Sequence, residues 1–230
     1  MFVPLKDDNP LRSIRFQFVT IGLIVANVIV FALTAAGITE STIASFAVIP
    51  GELFGLGPLL PQTVAVPERF TLLTYMFFHG DLLHLGGNML FLWVFGDNVE
   101  DAMGHVRFLV FYLLCGVLAG LTHALIMPGS ELPLIGASGA VAGVIAAYLM
   151  LHPNVRVWVL VFKVIPMQIS AAIVLGLWIV TQVIMVTLPQ TDQVAWWAHI
   201  GGLVAGAVLV VFMRRPGVRL FDRGLPVPQR

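Results

Sequence analysis

The sequence predicts an all-α membrane protein of six transmembrane helices with both termini in the cytoplasm. Three observations carry that prediction. The 230 residues are 59% hydrophobic and only 10% charged, whereas soluble domains carry about 25% charged residues. The mean hydropathy is +0.96, which leaves little room for a soluble domain. Lys and Arg then fall almost wholly on one side of a six-span topology.

The first apolar run, about 16–36, follows Arg12 and Arg15. At about 20 residues it is long enough to cross a bilayer and too long for a signal-peptide core. Residues 1–15 are a short N-terminal segment. The second span starts after Asp81, a residue suited to cap a helix, and runs to about Phe95. The third is about 107–127, closed by Pro128; the fourth about 135–151, closed by Pro153. The fifth is about 168–188, closed by Pro189; the sixth about 194–213, closed by Arg214, Arg215 and Pro216. Between the first two spans, residues 37–80 are apolar but broken by Gly and Pro. They read as a loop with short helices lying at the membrane surface. Residues 214–230 form a basic, Pro-rich tail. No internal repeat is evident.

With the N-terminus inside, eleven of the twelve Lys and Arg residues fall on cytoplasmic segments and only Arg69 falls outside. Spans two, four and six then enter from the outer face. Their first turns carry His84 and Asn88, Ser138, and His199. Each lies a few residues in, roughly 5–10 Å at 1.5 Å per residue. Three helices thus aim polar groups at one layer.

Ser138 lies in LIGASGAVAG. Small residues let transmembrane helices approach closely, so one reading is packing. The other is a nucleophile: Gly136 and Gly139 remove bulk on either side, and free N–H groups at a helix start can hold an oxyanion. His199, in WWAHIGGLVAG, is the candidate base, since ionisable residues inside spans are costly; a hydrogen-bonded neutral imidazole is the plainer reading. Gly202 and Gly206 share its helix face and permit tight packing on a small-faced partner such as span four. His84 and Asn88, four apart, can both donate hydrogen bonds and suit a developing negative oxygen. His79, before the second span, either holds a loop or takes part in the chemistry. Trp196 and Trp197 read as interface anchors, with substrate gating, shared with the long first loop, as the other reading.

No carboxylate lies within the spans to orient His199, and Asp192 falls outside them. The pattern is a Ser–His dyad whose imidazole is held by packing and backbone contacts. A zinc protease needs HExxH, and HGDLLH lacks both the spacing and the Glu. An aspartyl mechanism needs two carboxylates inside spans. No phosphate loop or dinucleotide fingerprint occurs, so no cofactor and no metal are expected. Zero net charge gives no footprint for nucleic acid. Cys115 stands alone and forms no internal disulfide.

Together HGDLLHLGGNMLFLWVFGDNVEDAMG, GASGA and AHIGGLVAG resemble the rhomboid intramembrane serine proteases. The likeness covers about residues 45–213, and its specificity lies in the order and spacing of the motifs. It implies a six-helix rhomboid-like bundle over residues 16–213 with a water-filled cavity open to the outer side. It implies Ser138 as nucleophile and His199 as general base. His84 and Asn88, with the Ser138 backbone N–H and the room left by Gly136, would stabilise the oxyanion. His79 fills the first position of the same pattern. Glu100 matches a structural carboxylate that ties the loop to span three, and Gly139, Gly202 and Gly206 are structural. Some members carry an aromatic four residues after the serine to pack on the imidazole; here that residue is Ala142, which leaves the seating of His199 open. The implied partners are the lipid bilayer and transmembrane protein substrates, cleaved near the outer face. Without a soluble extension or transit peptide, the expected location is a prokaryotic cytoplasmic membrane. A catalytically inactive escort of membrane proteins and, less favoured, a small transporter are the alternatives.

Overall fold

The computed structural model describes residues 2–37, 40–56, 65–162, 164–188 and 194–221. Pro189 and Asp192 lie outside them, as do part of the 37–80 loop and the end of the basic tail. Six helices of 14 residues or more dominate: α1 Phe18–Ala35, α5 Leu82–Met103, α6 His105–Ile126, α7 Ser138–Leu151, α8 Ala171–Thr187 and α9 Trp196–Met213. Three of them, α1, α6 and α9, are long and apolar enough to cross a membrane. α7 and α8 are apolar but shorter. Short helices α2 Glu40–Ala44, α3 Pro50–Leu53 and α4 Glu68–Thr74, with a 3₁₀ turn at Tyr75–Phe77, occupy the long first loop.

α7 is the central helix. Eleven of its 14 residues are buried, as expected of a helix apolar all round. It packs chiefly on α9, α6 and α5. The outer helices keep apolar side chains exposed, among them Val28, Ile29 and Leu33 on α1 and Val180, Val183 and Ile184 on α8. Exposed apolar surface of this kind marks a membrane or protein contact.

The expectation of an all-helical chain is corrected. Phe2–Asp7 (β1), Arg156–Val161 (β2) and Ile165–Ser170 (β3) form a three-stranded antiparallel sheet in the order β1-β2-β3. The β2–β3 hairpin joins α7 to α8, and β1 adds to its open edge. Val157 and Val159, alternating along β2, are fully buried, which ties the sheet to the bundle. It displaces the start of the fifth helix from about 168 to Ala171.

The 37–80 segment is also more than a surface loop. Val48, Tyr75 and Met76 are buried. Val48 and Leu134 exchange backbone hydrogen bonds of 3.0 and 2.8 Å, and the Gly136 N–H donates to the Tyr75 carbonyl at 3.0 Å. The Tyr75 hydroxyl donates to the Gly116 carbonyl at 2.7 Å. These bonds satisfy backbone groups that lipid would leave unpaired and fix the strand of chain leading into Ser138.

Two carboxylates at the end of α5 organise the opposite end. Glu100 is fully buried. It accepts from the Val19 and Thr20 N–H groups at 3.0 and 2.8 Å and from the Thr20 hydroxyl at 2.7 Å, and meets His105 Nδ1 at 2.5 Å. Asp101 accepts from the N–H groups of Arg12, Ser13 and Ile14 at 3.0, 2.7 and 2.6 Å. α1 has no side-chain N-cap of its own. α5 supplies it in trans, placing negative charge at the positive end of the α1 dipole. Glu100 therefore joins the first helix as well as the third long one, beyond the single tie expected.

Asp7, at the end of β1, bonds the Tyr148 hydroxyl at 2.5 Å. Burial pushes its carboxyl up to about 6, against the lowering effect of that bond and with help from Asp97. Between the usual carboxylate value of 3.8 and about 6, the folded state holds this proton and the unfolded state does not, so the Asp7 contribution to stability falls as pH rises through that window. The expected outcome is a wild-type melting temperature that drops between pH 4 and 6.5 by more than that of Asp7→Asn, read by thermal unfolding in detergent.

Candidate active site

The starts of α5, α7 and α9 lie together at one end of the bundle. Asp81 caps α5 by accepting from the Leu83 and His84 N–H groups at 2.8 and 2.9 Å. α7 begins at Ser138 itself, preceded by Gly136 at φ 122°. That conformation is open to glycine and strained for other residues. A Cβ on Gly136 would also come within 2.6 Å of His84 Nε2. The absent side chain is what lets the His84 ring lie beside the Ser138 loop.

Ser138 Oγ and His199 Nε2 are 2.8 Å apart. The contact depends on how closely α7 and α9 pack. A Cβ on Gly202 would overlap the Gly139 carbonyl, and one on Gly206 would overlap the Gly143 backbone. With neither Cβ present, the backbones touch. Gly139 is tight as well: a Cβ there would stand 2.6 Å from Ala119 Cβ of α6. The Ser138 loop is further held from the α5 side, where His79 Nε2 accepts from the Ala137 N–H at 3.4 Å. The His79 and His84 rings meet edge to face with centroids 4.9 Å apart. His79 thus contacts the loop that precedes Ser138. Asn88, one turn below His84, is 8% exposed, and its Nδ2 donor has no partner among the described residues.

The seating of His199 differs from expectation. Its Nδ1 lies 2.8 Å from Gln182 Oε1 of α8, so a side chain holds the ring as well as packing. Gln182 is 3% exposed. Trp196 meets the His199 ring edge-on at 5.6 Å and Trp178 lies at 6.1 Å. These two aromatics surround the imidazole where Ala142 offers none. Sequence reasoning missed Gln182, although an amide within VLGLWIVTQVIMV is a visible signal: a buried polar group in a lipid-facing helix needs a partner. Among the described residues no cluster of His, Cys, Asp or Glu is arranged to hold a metal ion.

The site comprises a hydroxyl against an imidazole, a second imidazole beside the loop before the hydroxyl, and a buried amide donor. Residues 67–216 match the Rhomboid domain model. RHOMBOID-like protein 5 of Arabidopsis thaliana is 32% identical over 70% of this chain and 50% of its own length. The mitochondrial presenilin-associated rhomboid-like protein of Homo sapiens is 26% identical over 83% of this chain and 47% of its own. The mitochondrial RHOMBOID-like protein 12 of Arabidopsis thaliana is 26% identical over 89% of this chain and 61% of its own. The chain belongs to the rhomboid family of membrane proteins, and spans about half the length of these relatives.

The helix contact gives a stability test. Gly202→Ala should destabilise the protein by about 1–3 kcal/mol through overpacking. Gly22→Ala on α1, where a Cβ would meet nothing within 4 Å, should be neutral or slightly stabilising. Thermal unfolding of the two variants side by side checks the contrast.

Proposed function

We propose that this chain is an intramembrane serine endopeptidase that cleaves transmembrane segments of other membrane proteins near the outer face. The observation that carries the reading is the 2.8 Å approach of Ser138 Oγ to His199 Nε2, between residues 61 positions apart. In this reading Ser138 Oγ attacks the scissile carbonyl carbon while its proton passes to His199 Nε2. The proton then goes to the leaving amine, and water repeats the sequence on the acyl-enzyme. The developing oxyanion is held by the Ser138 N–H, which as the first of α7 has no acceptor within the helix, and by His84 and Asn88. The unpartnered Asn88 donor supports that assignment. His79 positions the loop, and the peptidase unit is residues 16–213.

All six long helices are read as spans, with both termini cytoplasmic, from the bias of eleven Lys and Arg to one. At 14 residues α7 is about 21 Å long, short of the roughly 30 Å hydrocarbon core. With its inner end at the inner interface, Ser138 lies below the outer one. Substrate helices must open locally to expose a carbonyl, so segments with Gly or other helix-weakening residues near the outer face are favoured. The host membrane in this reading is a prokaryotic cytoplasmic membrane.

A fluorophosphonate probe should label Ser138 and leave Ser138→Ala unlabelled. Purified protein should cleave single-span reporters, and Ser138→Ala and His199→Ala should each lose at least about 10³-fold in kcat/KM. Undiminished biological activity of Ser138→Ala would instead favour the escort reading.

A further inference from the structure

We infer that Gln182 is a positioning residue that selects the tautomer of His199, and that the Trp178 carbonyl in turn sets the orientation of Gln182. This rests on the peptidase reading for its catalytic meaning, but the structural link stands on contacts of its own. Gln182 Nε2 donates to the Trp178 carbonyl at 2.9 Å and to Thr181 Oγ1 at 3.1 Å. Thr181 Oγ1 itself donates to the same carbonyl at 2.6 Å. A carbonyl oxygen only accepts. Turning the amide over would set Oε1 against it and leave two acceptors facing each other in a buried site, so the NH₂ group is fixed on the Trp178 side.

Oε1 is then what His199 Nδ1 meets at 2.8 Å. Since Oε1 also only accepts, Nδ1 must carry the proton. Nε2 is consequently bare, which is the form able to take the Ser138 proton across 2.8 Å. With the other tautomer, Nε2–H would point at the hydroxyl and no base would be present. The chain of bonds runs from the backbone of α8 through an amide to the imidazole of α9 and the hydroxyl of α7.

An amide also suits the surroundings. Gln182 is 3% exposed on a helix whose neighbouring residues Val180, Val183 and Ile184 are exposed and apolar. An ionised carboxylate at that position would carry a large desolvation cost, while a neutral amide orients the ring with its own polar atoms satisfied. The role usually given to a third acidic residue is here filled by a neutral one. Its consequence is orientation and tautomer choice, with weaker charge stabilisation of the imidazolium.

The test uses the full chain, labelled with ¹⁵N-histidine, in detergent micelles, with the His199 signals identified by their loss in His199→Gln. The expected wild-type spectrum has a protonated Nδ1 and an unprotonated Nε2. Gln182→Met, close in shape but unable to accept at that point, should shift His199 toward a mixture containing the Nε2-protonated form. On a single-span reporter it should lower kcat roughly 10- to 100-fold while KM stays within about twofold. Gln182→Glu, which offers an acceptor oxygen whether ionised or protonated, should restore kcat to within about fivefold of wild type. An Nε2-protonated His199 in the wild type overturns the inference, as does Gln182→Met with unchanged tautomer and kcat. Absence of Ser138-dependent cleavage together with a protonated Nδ1 would sink the peptidase reading and leave the tautomer assignment in place.

Discussion

The backbone contact between α7 and α9 is the constraint on which the rest depends. Gly202 and Gly206 press onto the Gly139–Gly143 stretch so closely that no Cβ fits. Lipid provides no hydrophobic drive for helices to associate. What holds this pair is van der Waals contact made possible by missing side chains. The same contact fixes the distance between Ser138, first residue of α7, and His199, fourth residue of α9. A hydrogen bond of 2.8 Å across two helices tolerates little change in that spacing. The helix packing and the Ser138–His199 contact are therefore one feature of the sequence, read at successive residues.

Around that axis the chain supports the site from three directions. The first loop reaches in with Val48 and Tyr75 to hold the segment before Ser138 by backbone bonds. The segment entering α5 brings His79 against the Ala137 N–H, and the first turn of α5 brings His84 against Gly136. α8 brings Gln182 to the far nitrogen of His199. Each support satisfies polar groups that an apolar surrounding would otherwise leave unpaired. At the other end, Glu100 and Asp101 cap the entrance to α1, and the three-stranded sheet closes the turn between α7 and α8. The long helices are thus pinned at both ends, with the site at one and the ionic and sheet contacts at the other.

Much of this was legible in the sequence. Five of the six long helices were placed to within a few residues, because apolar runs bounded by Pro and Arg leave few alternatives. α5 starts where its capping Asp81 puts it but runs past the expected end at about Phe95 to Met103. It continues through GDNVEDAM, where polar residues buried against neighbouring helices hide the continuation from a hydropathy reading. The Ser138–His199 pairing was legible because small residues on two helices permit close packing, and both residues stand in the first turn of their helices. The sheet was not, although RVWVLV is β-branched and apolar: six residues are too short for a span, and strand identity depends on a partner. That partner, Phe2–Asp7, lies 150 to 159 residues away along the ladder, from Val157 with Asp7 to Val161 with Phe2. Gln182 was missed for a related reason. A single amide in a span announces that it needs a partner but not which one.

By itself the sequence determined the membrane class, the starts of the long helices to within a few residues and the family motifs, because these follow from local hydropathy, chain punctuation and short spacings. Tertiary structure alone decided what lies across from what: Gln182 against His199, β1 on the edge of β2, Glu100 on the start of α1, and Tyr75 beneath the Ser138 loop. Those choices join residues far apart in the chain. They are settled by the requirement that each buried polar group find a partner, and no local pattern encodes which partner that will be.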